Sequence, residues 1–190
     1  PINGNAKATP NNGISQPGIS TPVEVKASKD QPFANGLGMK FVPVPGTEVL
    51  FSIWETRVAD FKAFAVATSH DATKGMYSLI GGRYGQHGNT WKEPGWPQTD
   101  SHPVTGVSWS DAKAFCKWLT EKDRKESKIG QQDEYRLPMD LEWSAAIGKR
   151  HYSWGDEREP PKDAGNYAGK EAGDKDWPKD MGFSLTYTDG

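Results

Sequence analysis

Between Thr68 and Ser101 the apolar residues follow neither the three-to-four spacing of a helix nor the alternation of a strand. A structureless stretch this long is uncommon inside a domain, and where it occurs it is either functional or tied down by its own side chains. Its core, LIGGRYGQHGNTWKEPGWPQTDSHP, is built from Gly, Pro and aromatics. Trp91 and Trp96 could form a binding rim or pin the loop, and pinning is the expectation for both. The rest of the chain has the same character: 8 Trp, 6 Tyr and 7 Phe beside 21 Gly and 14 Pro, with only 34% hydrophobic residues. Together with a mean hydropathy of -0.79, this predicts a loop-rich domain held by large aromatic side chains.

Regular elements are expected on either side of that loop. Met39, Phe41, Val42 and Val44 in GMKFVPVPG predict a short strand cut off by Pro43 and Pro45. A second strand is expected over Val49 to Glu55, joined through Gly46. Val58, Phe61, Phe64 and Ala65 place a helix from about Val58 to Ala67. In VSWSDAKAFCKWLTEK, Ser108 and Asp111 give an S-x-x-D start, followed by the stripe Ala112, Phe115, Cys116 and Leu119. Lys122 to Glu134 reads as a polar surface excursion. In YRLPMDLEWSAAIGKR, Pro138 lies where a helix start tolerates it, and Asp140 and Glu142 complement the helix dipole. Asp140 is the expected N-cap, with Leu141, Ala145 and Ala146 facing the core. Residues 151–190 return to loops with aromatic anchors.

Residues 1 to 31 are rich in Pro, Gly, Asn, Ser and Thr and cannot bury enough apolar surface to offset their ordering entropy. They are expected to form a flexible linker, with the folded domain over 32–190. The chain opens on Pro rather than Met, so an upstream segment is expected. The net charge of -2 gives no electrostatic reason to expect nucleic acid, and no apolar run reaches the length of a membrane helix. One cysteine permits no internal disulfide. The compartment is left open, with an extracytoplasmic one preferred.

Few residues read as chemistry. Cys116 lies on an apolar helix face and is expected to be an inert, buried thiol. His70, His87, His102 and His151 lack metal-ligand spacing, and His102, before Pro103, is expected to be a turn residue. The stretch DAGNYAGKEAGDKDWPKDMGFSLTYTDG is crowded with oxygen ligands, including Asp163, Asn166, Asp174, Asp176, Asp180 and Asp189. A solvated loop and a calcium-binding loop both remain open for it.

Three segments in one order, HPVTGVSWSDAKAFCKWL, YRLPMDLEWSAAIGKR and YSWGD, resemble the formylglycine-generating enzyme (sulfatase-modifying factor) family. Its pattern runs HPV-x-x-VSW-x-DA-x-x-YC-x-W, then RLPTE-x-EWE-x-AA, then PWG. GMKFVPVPG and WETRVADFKAF resemble the family's opening strand and first helix, so the likeness covers about residues 35–190. Met139 and Arg57 stand where the pattern has Thr, Ser153 where it has Pro, and Lys122 to Glu134 is inserted.

The resemblance implies an α+β, C-type-lectin-like fold with little regular secondary structure. In active members it implies oxidation of a sulfatase cysteine to formylglycine with copper and dioxygen. The copper-binding cysteine pair belongs to a second half that is expected beyond Gly190, and Cys116 matches a helix cysteine of the pattern instead. A structural calcium is also implied, held here by Asn166, the carbonyl of Tyr167 and Asp189. Partners would be a sulfatase polypeptide or, on an alternative reading, the protein or glycan ligand of a non-catalytic lectin-like module in a bacterial multidomain protein.

Overall fold

The computed structural model describes residues 25–80, 83–162 and 164. The described chain opens with a three-stranded antiparallel meander, β1 (Phe33–Ala34), β2 (Lys40–Pro43) and β3 (Leu50–Ser52). Phe33 pairs with Phe41, and Pro43 with Leu50. Pro43 falls past the end of β1, so its missing N–H costs the ladder nothing on that side. Val44-Pro45-Gly46-Thr47 then reverses the chain. Pro45 supplies a fixed φ, Gly46 adopts φ 78°, and Thr47 N–H closes on Val44 O at 3.2 Å. The β1–β2 connection is held by Asn35, whose Oδ1 accepts from the N–H groups of Leu37 and Met39.

Two helices build the core. α1 (Val58–Thr68) and α2 (Trp109–Lys125) pack against each other and share one apolar cluster with Phe41 of β2. Phe61, Phe64, Phe115 and Leu119 point inward with Met39, Phe41 and Trp91. Phe61 is the hub, with ring centroids 5.4 Å from Phe64 and 5.1 Å from Trp91, both edge to face. Burying each such side chain contributes roughly 1.5–3 kcal/mol, which is how few apolar residues hold so much loop.

The long connection between α1 and α2 departs from the sequence expectation in one place. Tyr77–Ile80 and Arg83–Gln86 form a hairpin, β4–β5. The pattern hid it because Tyr77 and Tyr84 are exposed and stack on each other, with centroids 5.4 Å apart, so neither strand alternates. Beyond it Trp91 is 3% exposed and anchors the loop as expected, whereas Trp96 stands out at 47%. The loop closes over the start of α1: Val58 N–H donates to His102 O and Ala59 N–H to Asp100 O. These carbonyls satisfy N–H groups that the helix itself leaves free. His102 is a turn residue as expected, its Nδ1 accepting from Thr99 N–H at 2.9 Å.

Two further expectations are corrected. α2 runs through Lys125, and the supposed polar excursion supplies Asp123, fully buried, and Ile129, 3% exposed. α3 (Asp140–Ile147) forms where expected, yet Leu141 is 81% exposed, Ala146 is exposed, and the buried residue is Glu142.

Candidate functional site

Among the described residues, each of the three helices begins with a carboxylate three residues past its N-cap that reaches back to the cap's N–H. Arg57 N–H donates to Asp60 Oδ2 at 3.0 Å, Ser108 N–H to Asp111 Oδ2 at 2.8 Å, and Met139 N–H to Glu142 Oε2 at 2.8 Å. Only Ser108 completes the reciprocal half, accepting from Asp111 N–H at 3.2 Å. Met139 therefore gives up a capping hydroxyl while the carboxylate half survives. The cap of α3 is satisfied by Glu142 rather than by Asp140, which is the first helical residue. Arg57 keeps Asp60 in the same way and adds a two-point guanidinium contact to it, while lying 4.9 Å over the Trp54 ring.

The family-like motif residues are thus bound up in structure. Arg136 and Glu142, the Arg and the buried acid of the RLP…EW segment, form a bidentate ion pair. The Arg136 guanidinium first, and then Met139 N–H, hold the Glu142 carboxyl down at about 2. Asp111 caps α2 and takes His70 Nε2 at 2.7 Å. Burial would push its carboxyl up, but the Ser108 hydroxyl, the His70 ring and Ser108 N–H together hold it below its ordinary value. Asp123 ties three segments together. Its Oδ2 accepts from Tyr135 Oη at 2.7 Å and Gly36 N–H at 3.2 Å, and its buried Oδ1 has no hydrogen-bond donor, with Lys122 Nζ 3.6 Å away. Burial, followed by the Asp123 carboxylate, raises the Tyr135 phenol far above the usual tyrosine range. YSWGD forms a tight turn in which Tyr152 and Gly155 exchange backbone hydrogen bonds and the rings of Tyr152 and Trp154 stack at 4.8 Å.

An open groove of about 540 Å³ runs between α2 and the extended segment 134–138, lined by Trp109, Lys113, Cys116, Arg124, Tyr135 and Pro138 among others. Trp109 is largely exposed and carries Lys113 Nζ 4.3 Å from its ring centroid. Cys116 is half-buried in this wall, and burial raises its thiol pKa, the environment of an inert cysteine. A smaller groove of about 470 Å³ lies among Trp54, Glu55, Arg57, Ser101 and Pro103.

The sequence contains one cysteine, and among the described residues no three His, Cys, Asp or Glu side chains are grouped to hold a metal ion. The lone cysteine does not supply the paired thiolates of the copper(I) site that the resemblance implies. The calcium ligands implied by the resemblance, Asn166, Tyr167 and Asp189, lie outside the described residues. No helix among the described residues is long and apolar enough to cross a membrane.

Fold and site together define a small α+β domain of loops framed by carboxylate-capped helices. The chain belongs to the family of sulfatase-modifying factor enzyme 1-like domains, whose profile matches residues 43–188. It is similar to the formylglycine-generating enzyme of Streptomyces coelicolor, 33% identical over 82 residues, which is 38% of this chain and 22% of that protein. It also resembles the enzymes of that name from Thermomonospora curvata, 32% identical over 38% of this chain and 22% of the relative, and Mus musculus, 29% identical over 38% and 18%. The match thus spans about a fifth of the length of these relatives. No solved structure matches the chain.

Sequence reasoning missed Arg57, Asp60, Arg136 and Asp123 as organising residues. An acid three places after the cap was the available signal for Asp60, as it is at Asp111 and Glu142. Nothing local marks Asp123, because its partners Gly36 and Tyr135 come from distant parts of the chain.

Proposed function

We propose that this protein is a formylglycine-generating oxidase of C-type-lectin-like fold, acting on a cysteine in an extended segment of a sulfatase polypeptide. The family match over residues 43–188 carries this reading, and the curated relatives bear that enzyme's name. On this reading the residues described here form the frame, while copper and its cysteine pair belong to a part of the protein beyond them. Dioxygen and two further electrons from a thiol reductant convert the substrate's CH2–SH to an aldehyde, releasing hydrogen sulfide and water. Asn166, the Tyr167 carbonyl and Asp189 are proposed ligands of a structural calcium, residues 1–31 a linker, and the compartment extracytoplasmic.

The test is to incubate the full-length protein with copper(I), oxygen, a thiol reductant and a cysteine-containing sulfatase peptide, then capture aldehyde with an aminooxy reagent. Aldehyde on the peptide supports the oxidase. A copper-free, inactive protein that still binds protein or glycan ligands would establish the second reading, a lectin-like binding module. That reading draws on the lone, inert Cys116 and the exposed rings of Trp109 and Trp143.

A further inference from the structure

α3 buries Glu142 and half-buries Ala145, while its remaining residues are exposed. Met139, Trp143, Ala146 and Ile147 fall at i, i+4, i+7 and i+8, the spacing of a stripe that normally faces a core. Here the stripe faces outward: Met139 is 60%, Trp143 58% and Ile147 41% exposed, and Ala146 is exposed as well. Among the described residues, Trp143 has Phe51 of β3 as its aromatic neighbour, 6.4 Å away between centroids.

We infer that this stripe is the seat of the chain's own segment Met181–Tyr187. In MGFSLTYT, Met181, Phe183, Leu185 and Tyr187 alternate with Gly182, Ser184, Thr186 and Thr188. That is the pattern of a strand with one apolar face, which requires a surface to cover. The family match extends through residue 188, so these residues belong to the same domain as α3. A strand of this length spans about 20 Å, and the helical stripe about 12 Å, so one pass covers it. The residues between Ala164 and Met181 reach up to about 55–60 Å when extended, ample for the return. Apolar stripe, apolar strand face and a connection long enough to join them are all supplied by one chain.

A photo-crosslinking phenylalanine placed at the exposed position 146 of the full-length protein tests this. The expected product is an intramolecular crosslink to a peptide containing 181–187. Crosslinks between two copies, to an added sulfatase peptide, or to another part of the chain would overturn the assignment. As an independent readout, Phe183→Asp is expected to speed amide exchange in α3 by about tenfold or more, whereas Thr186→Asp, on the polar face, leaves it unchanged. Equal effects of the two variants, or none from either, would likewise contradict it.

Discussion

Arg136 and Glu142 grip each other at the mouth of α3, with Nη1 2.7 Å from Oε2 and Nη2 on Oε1, while Oε2 also takes Met139 N–H. One carboxylate therefore caps the helix and anchors the extended segment that leads into it. The most recognisable residues of the motif are occupied in holding the chain in place.

The pair sets an acid limb of stability. Because the Glu142 carboxyl is lowered from 4.5 to about 2 in the folded protein, its contribution is complete above the unfolded value and is lost as pH falls toward the folded one. Urea midpoints are expected to fall between those two values in the native protein. Glu142→Gln should start from a lower midpoint near neutral pH and lose less across that interval. A constant offset between the two proteins at every pH would refute this.

The Asp123 junction gives a second test. Tyr135→Phe removes the phenol that donates to Asp123 Oδ2 and is expected to cost about 1–3 kcal/mol, because a buried carboxylate loses a donor. Gly36→Ala places a methyl 2.5 Å from Asp123 Oδ1 and is expected to cost about 1–3 kcal/mol by crowding. Denaturant unfolding measures both. A neutral Gly36→Ala would mean that the Asn35–Gly36 turn is not seated on α2.

Trp91 and Trp96, five residues apart, should behave oppositely. Trp91→Ala is expected to cost about 3–5 kcal/mol because the ring fills the core against Phe61. Trp96→Ala should stay within about 0.5 kcal/mol. Thermal or urea unfolding separates them, and similar losses would show that both rings pin the loop.

Calcium removal tests the proposed ligand set. If Asn166, Tyr167 and Asp189 hold the ion, chelation should lower the Tm of the full-length protein and added calcium restore it, because an ion bound only to the folded state stabilises by mass action. Asp189→Asn should abolish the calcium dependence. A Tm indifferent to chelator would remove the site.

The legible part of the fold was the part governed by local rules. Apolar spacing placed α1 and α2, and Pro45-Gly46 placed the turn between β2 and β3, because propensity, period and turn chemistry agreed there. The β4–β5 hairpin escaped because its aromatics cover each other in solvent. Leu141 and Ala146 were assigned to the core because an apolar helix normally is core, yet the described surface meets α3 through an ion pair. Asp123 was taken for a surface charge because its sequence neighbours are polar, while Gly36 and Tyr135, which meet it in the fold, lie far along the chain. Of the candidate chemistry, the inert setting of Cys116 could be read from its helix face. The capping roles of Asp60 and Glu142 needed coordinates to separate them from ordinary first-turn acids.

The most direct test of the central claim, that these residues frame an oxidase whose redox centre lies elsewhere in the protein, is aldehyde formation by full-length Cys116→Ser. The account predicts aldehyde on the sulfatase peptide at the same yield per folded molecule as with the native protein. Loss of aldehyde in Cys116→Ser alone would place the redox centre in this frame, and no aldehyde from either protein would contradict the oxidase assignment itself.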